Sequence, residues 1–263
     1  MTTADPSSRL KRFYTAVATA PAQGGFAVTL DGRTPRSPEG RPLVLPTSAL
    51  AELVAREWEA QGAEIAPATM PATRWAWMGI ALAADPSLRA QQAARMGSFA
   101  GHDLLCYFAE WPRPLVARQE AEWSPVIAWA EAAFEVSFNR RAGVVHAAQP
   151  EATIARIEAV AAAEDPFALA GLSVAAPLFG SAILALALRR GELSGEDAFA
   201  RSRLDERFQE ESWGVDAQEA ARVAAMAEEA RLLERWFAAC SHPLVRLGGS
   251  DPQAKAPPRR RFR

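Results

Sequence analysis

From residue 166 to residue 188 the chain runs 23 positions without a charged side chain, and any fold it adopts must take that stretch out of water. Its length is about that of the roughly 20 residues that cross a bilayer as a helix. Its composition argues otherwise. The run is rich in Ala, contains Gly171, Ser173, Gly180 and Ser181, and carries Pro177 near its middle, where proline kinks or stops a helix. The stretch therefore reads as two consecutive helices buried in a protein core, with no membrane insertion. At 263 residues the chain is long enough to supply that core.

Apolar residues make up 49% and charged residues 23% of the sequence, the balance of a folded globular chain. The net charge of -2 is uneven, because residues 241–263 hold six Lys or Arg against one Asp, leaving about -7 on the rest. An acidic body with a mobile basic tail is expected. Two cysteines, Cys106 and Cys240, give no disulfide framework, and residues 1–12 carry Asp5 but no apolar core of a leader peptide. Both features suggest the cytoplasm.

Period-two alternation at Phe26, Val28 and Leu30, followed by Asp31-Gly32, predicts a strand over 25–30 and a turn. Leu43 to Leu45, between Pro42 and Pro46, is a second short strand. A helix over 48–61 follows from Leu50, Val54 and Trp58 at intervals of four, with Gly62 placed as its stop. These elements form a small β-rich N-terminal domain over 1–70.

Residues 71–240 read as helical throughout. Asp85-Pro86 and Asp165-Pro166 match a cap followed by proline in the first helical position. Ser194 with Asp197 and Asp216 with Glu219 have capping-box spacing, and one exposed helix is expected between them. A last helix carries Val223, Met226, Ala230, Leu233 and Phe237 on one stripe. The fold class is α+β, a small β-rich domain leading into a larger helical one, with a tail over 241–263.

Most enzyme chemistry lacks its residues here. The two lysines, Lys11 and Lys255, follow no glycine-rich loop, and neither G-x-G-x-x-G nor G-x-S-x-G occurs, so phosphate cradles and serine-hydrolase elbows are not indicated. The alternative function is a metal-dependent enzyme, with His102 and Cys106 on one helix face joined by Cys240 and His242. That set has the ligand types of a zinc site but not its spacing signature. Arg259 to Arg261 with Arg263 read as a solvated tail rather than a nucleic-acid contact.

Several phrases in order resemble a known family. They begin with Lys11-Arg12-Phe13-Tyr14, Gly25-Phe26, Leu30-Asp31-Gly32-Arg33, Glu57-Trp58, Gln61, and Met70-Pro71-Ala72-Thr73. They continue with Asp103-Leu104-Leu105-Cys106-Tyr107, Gln119 with Trp123 and Pro125, and Gly180 to Leu184. The longest is Leu204-Asp205-Glu206-Arg207-Phe208-Gln209, followed by Glu211 and Trp213-Gly214. Together they resemble the alpha-subunit assembly chaperone of F-type ATP synthase, also called assembly factor two, found in mitochondria and related bacteria. Trp75-Ala76-Trp77, Phe108 and the arginine-rich tail depart from the family pattern.

The resemblance implies a chaperone without enzymatic activity or cofactor, expected as a monomer, that binds the unassembled alpha subunit. It implies partner contacts at Asp205, Glu206, Gln209, Glu211, Trp213 and Gly214, and structural or functional roles for Trp58 and Asp103. On a helix, Leu204 and Phe208 would face the core. The bland alternative is a solvated face on which Arg203, Arg207, Glu206, Glu210 and Glu211 pair with one another. For Trp58, the stripe it shares with Leu50 and Val54 favours bracing between domains over contact with the partner.

Overall fold

The computed structural model describes residues 10–240 apart from 38, 144, 146, 147, 215 and 216, and excludes the side chain of Trp213. The basic tail, His242 and Asp216 therefore lie outside the described residues.

Strand β1 (Val17–Ala22) pairs antiparallel with β2 (Gly25–Leu30), Val17 opposite Leu30, and β3 (Val44–Leu45) joins the other edge of β2. The alternation buries Val28 and Leu30. At the end of β2, Asp31 (φ 48°) and Gly32 (φ 77°) are both left-handed, and Arg33 bridges back to Leu30, as a two-residue primed turn requires. The Asp31 carboxylate accepts the Thr15 and Ala16 N–H groups, and these bonds hold it below the usual carboxylate range.

Helix α1 (Ser48–Glu59) lies on this sheet, burying Leu50, Ala51, Val54 and Trp58. Thr47 caps it, accepting the Leu50 N–H, and donates its hydroxyl to Ala239 O at 2.7 Å. The expected glycine stop is not used. The helix closes at Ala60 in right-handed geometry, and the buried Gln61 side chain organises the exit, accepting from Ala66 N–H and donating to Glu57 O and the Thr69 hydroxyl.

The helical body comprises α2 (Pro71–Ala84), α3 (Pro86–Gly101), α4 (Arg113–Phe134), α5 (Glu151–Ala162), α6 (Pro166–Phe179) and α7 (Ala182–Arg190), then α8 (Gly195–Ser202), α9 (Leu204–Trp213) and α10 (Ala217–Cys240). The uncharged run forms α6 and α7, as expected. Pro177 falls in the last turn of α6, and the break is made by Gly180 in left-handed geometry and by Ser181, which caps α7. Helix α6 is central, packing on α2, α3, α7 and α10. Its small residues allow close approach: a Cβ on Gly171 would lie 2.6 Å from the Phe237 ring and 2.8 Å from Trp236. Among the described residues no helix is long and apolar enough to cross a membrane.

Asp85, Asp165 and Ser194 cap α3, α6 and α8 as the sequence predicts. Three readings change. Tyr107–Phe108 (β4) and Arg141–Ala142 (β5) form a parallel pair, strands too short for any periodicity to reveal. The single helix expected between Ser194 and Asp216 is two, broken at Arg203. On α10, Trp236 is a main core residue, donating its indole N–H to Phe167 O, whereas Val223 and Met226 are only partly buried. The result is an α+β molecule whose buried cluster runs from Tyr14 on the sheet side to Ala239 on α10.

Candidate functional site

The break at Arg203 sets the position of α9. Its guanidinium is 8% exposed and reaches Glu210 at 2.5 Å and Glu219 at 3.5 Å, so one buried cation ties both ends of the α9–α10 connection. Leu204 is buried and Phe208 partly so, which directs this side of α9 inward as expected.

The two flanks of α9 are fastened to α4. On one, Gln119, fully buried, donates to Asp205 Oδ1 at 2.7 Å and accepts the Ala109 N–H at 2.7 Å. Burial pushes the Asp205 carboxyl up, and the Gln119 bond opposes it. On the other flank, Glu211 takes Arg118 bidentately, at 2.7 and 3.1 Å, and this bond holds its carboxyl below the usual range. Arg118 also stands 5.4 Å from the centroid of the Phe208 ring.

The outer ridge is free by comparison. Glu206 and Gln209 are exposed, and among the described residues neither side chain makes a hydrogen bond or an ion pair. Gly214 ends α9 with φ 78° and is exposed; the Trp213 side chain lies outside the described set. The six expected contact positions thus fall in one short segment, with Asp205 and Glu211 engaged within the protein and Glu206 and Gln209 facing outward. The clamps on α4 were not predicted. Gln119 stood in the sequence phrases, but no spacing rule joins residues 86 positions apart.

Asp103 is a fully buried anchor. Its carboxylate accepts the Leu105 N–H at 3.1 Å, the Ser181 hydroxyl at 2.7 Å and the Ile183 N–H at 2.9 Å, fastening the chain after α3 to the start of α7. Burial pushes its carboxyl up to about 6 against those bonds. The expected helix face shared by His102 and Cys106 does not form, because α3 ends at Gly101 and Cys106 closes a separate 3-10 turn over Leu104–Cys106. Among the described residues no three His, Cys, Asp or Glu side chains gather to hold a metal. Burial pushes both cysteine thiols up, away from the thiolate that ligation needs.

Trp58 packs edge-on against Tyr14, with centroids 5.8 Å apart, and its carbonyl accepts the Tyr14 hydroxyl at 2.6 Å. Its indole N–H is buried and has no hydrogen-bond partner among the described residues. A second bridge from α1 to the helical body, besides Thr47 to Ala239, comes from the adjacent Glu57, whose carboxylate accepts the Ala72 and Thr73 N–H groups and the Thr73 hydroxyl, each at 2.8 Å.

The family model described as ATP12 chaperone protein matches residues 11–131. Crystal-structure relatives extend the likeness over the helical body. Atp12 from Paracoccus denitrificans is 38% identical with a TM-score of 0.80, covering 88% of this chain and 99% of its own. A point mutant of that protein gives the same identity and TM-score. The Atu1473 protein of Agrobacterium tumefaciens is 39% identical, also at 0.80, over 88% of this chain and 86% of its own. Fold and matches together define a chaperone. The chain belongs to the ATP12 chaperone family.

Proposed function

We propose that this chain is an ATP synthase assembly chaperone that binds the unassembled alpha subunit of the F-type catalytic head, keeps it from aggregating, and releases it to the assembling head. Family membership supports the chaperone role. The observation that carries the contact surface is the outward pair Glu206 and Gln209 on a helix whose flanks are pinned by Gln119 and Arg118. An unassembled subunit exposes surface that its partners later bury, and such surface aggregates if left uncovered. A chaperone must nevertheless yield to the final partner, which favours a polar ridge over a wide apolar seam.

In this reading Glu206 and Gln209 touch basic and polar groups of the client directly. Asp205, held by the buried Gln119, fixes the ridge, Glu211 stands at its edge in an exposed pair with Arg118, and Trp213 with Gly214 complete the surface at its C-terminal end. Trp58 and Asp103 act through the fold. The protein works as a monomer in the cytoplasm, without a cofactor and without catalysis.

The test is a pull-down with separately produced alpha and beta subunits. Retention of alpha but not beta is expected, and absence of alpha retention would sink the reading. Glu206→Lys should weaken alpha binding by about tenfold, the scale of one well-placed interfacial charge, with an unchanged circular dichroism spectrum.

A further inference from the structure

Beside the ridge, between α4, α8 and the flank of α9, lies a cleft of about 260 Å³ lined by Arg118, Arg201, Arg207, Glu122, Glu211 and Leu204. Three guanidinium groups share the cleft with two carboxylates, and a third carboxylate, Asp197, stands beside Arg201 at its edge. Arg201 is committed: it is 14% exposed, lies 3.1 Å from Glu122 and 3.5 Å from Asp197, and donates to the Asp197 carbonyl. Arg118 is differently placed. It is 40% exposed and its fork is filled by Glu211, itself 54% exposed, and pairs this exposed contribute little because water competes for both ions. Arg207 precedes Glu211 by one helical turn on the same flank. It is exposed, and among the described residues no carboxylate lies within ion-pair distance of it.

We propose that this cleft is a socket for an acidic side chain of the protein client, received by Arg207 and, as Glu211 is displaced, by Arg118. The client's being a protein rests on the chaperone reading; the carboxylate chemistry comes from the cleft itself. Glu211 already shows the geometry, two parallel bonds at 2.7 and 3.1 Å to the Arg118 fork, which is how arginine recognises a planar carboxylate. A phosphate group, with nearly twice the charge at neutral pH, would be repelled more strongly by Glu122 and Glu211. The socket adjoins the Glu206–Gln209 ridge, so a client would meet an acidic strip and a basic notch side by side. Charges of both signs in one footprint set register and reject partners of a single sign.

The test uses the full chain and a capped octapeptide of alternating Glu and Ala, with the Lys counterpart as control, followed through the arginine Nε–H signals in two-dimensional NMR at low salt. The Glu peptide should shift the Arg118 and Arg207 signals saturably, and the Lys peptide should not. Arg207→Glu should weaken the Glu peptide by about tenfold or more, while Arg207→Lys retains part of the binding. Glu211→Gln should strengthen it several-fold by removing the internal competitor, an outcome that a purely structural ion pair does not produce. Absence of a shift at Arg118 and Arg207, or binding not strengthened by Glu211→Gln, overturns the proposal. So does displacement of the peptide by millimolar sodium phosphate at matched ionic strength, which would assign the socket to phosphate groups. No alpha subunit is present in this experiment, so it succeeds or fails independently of the pull-down.

Discussion

Gln119 on α4 and Asp205 on α9 are joined side chain to side chain at 2.7 Å, and the other end of the same amide accepts the Ala109 N–H. One fully buried residue thus links the segment before α4, α4 itself and the candidate contact helix. Replacing it with alanine strands a backbone donor and leaves Asp205 without its partner. Gln119→Ala should cost about 1–3 kcal/mol in urea unfolding, and amides of α9 should exchange faster than those of α6. Unchanged protection in α9 would show that the helix is held by Leu204 and Phe208 instead.

Asp103 predicts an unusual pH response. Its folded-state value of about 6 lies above the ordinary 3.8, so the folded chain binds this proton more tightly than the unfolded chain. Its contribution to stability is complete below the ordinary value and is lost as pH rises through the folded one. Asp103→Asn removes that titration. The stability of the parent relative to the variant should rise by about 1 kcal/mol between pH 7 and pH 5, measured by chemical denaturation at each pH. A constant difference would mean that Asp103 stays ionised throughout.

Glu57 caps the start of α2 from the neighbouring helix α1, offering its carboxylate to three donors. Glu57→Ala should lower stability by about 1–2 kcal/mol, the scale of a lost helix cap, and the first turn of α2 should lose protection in hydrogen exchange. A stability change confined to α1 would refute the bridge.

Gly195 opens α8 where it meets α10, and a Cβ there would lie 2.2 Å from the Ala230 carbonyl oxygen. Backbone cannot yield as a side chain can. Gly195→Ala should therefore destabilise by about 1–3 kcal/mol through overpacking, lowering the thermal midpoint. Because its own N–H also donates to Glu234 at 2.8 Å, the displaced α8 should loosen that bond as well. An unaltered midpoint would show that α8 moves away freely.

Much of the fold follows from local rules. The limits of β2, the capped starts of α3, α6 and α8, and the division of the uncharged run into two helices all depend on residues within a few positions of one another. Short strands β4 and β5 escaped because two residues carry no period, and the helix break at Arg203 escaped because the buried cation that stabilises it answers to Glu210 and Glu219. The supposed His102–Cys106 face failed for a related reason: Asp103 draws the chain out of α3 to reach Ser181 and Ile183.

The sequence by itself determined the α+β class, the burial of residues 166–188 and, through its ordered phrases, the family, because periodicity, caps and word order are properties of neighbours along the chain. Only the tertiary structure decided what the 204–214 segment offers. The polar and charged positions on either side of Phe208 look alike in a string, yet Asp205 and Glu211 are drawn to Gln119 and Arg118, residues some 90 positions away. What is left outward, Glu206 and Gln209 with Arg207 beside them, which has no ion pair among the described residues, is the remainder after those long-range bonds form, and such a remainder exists only in the folded chain.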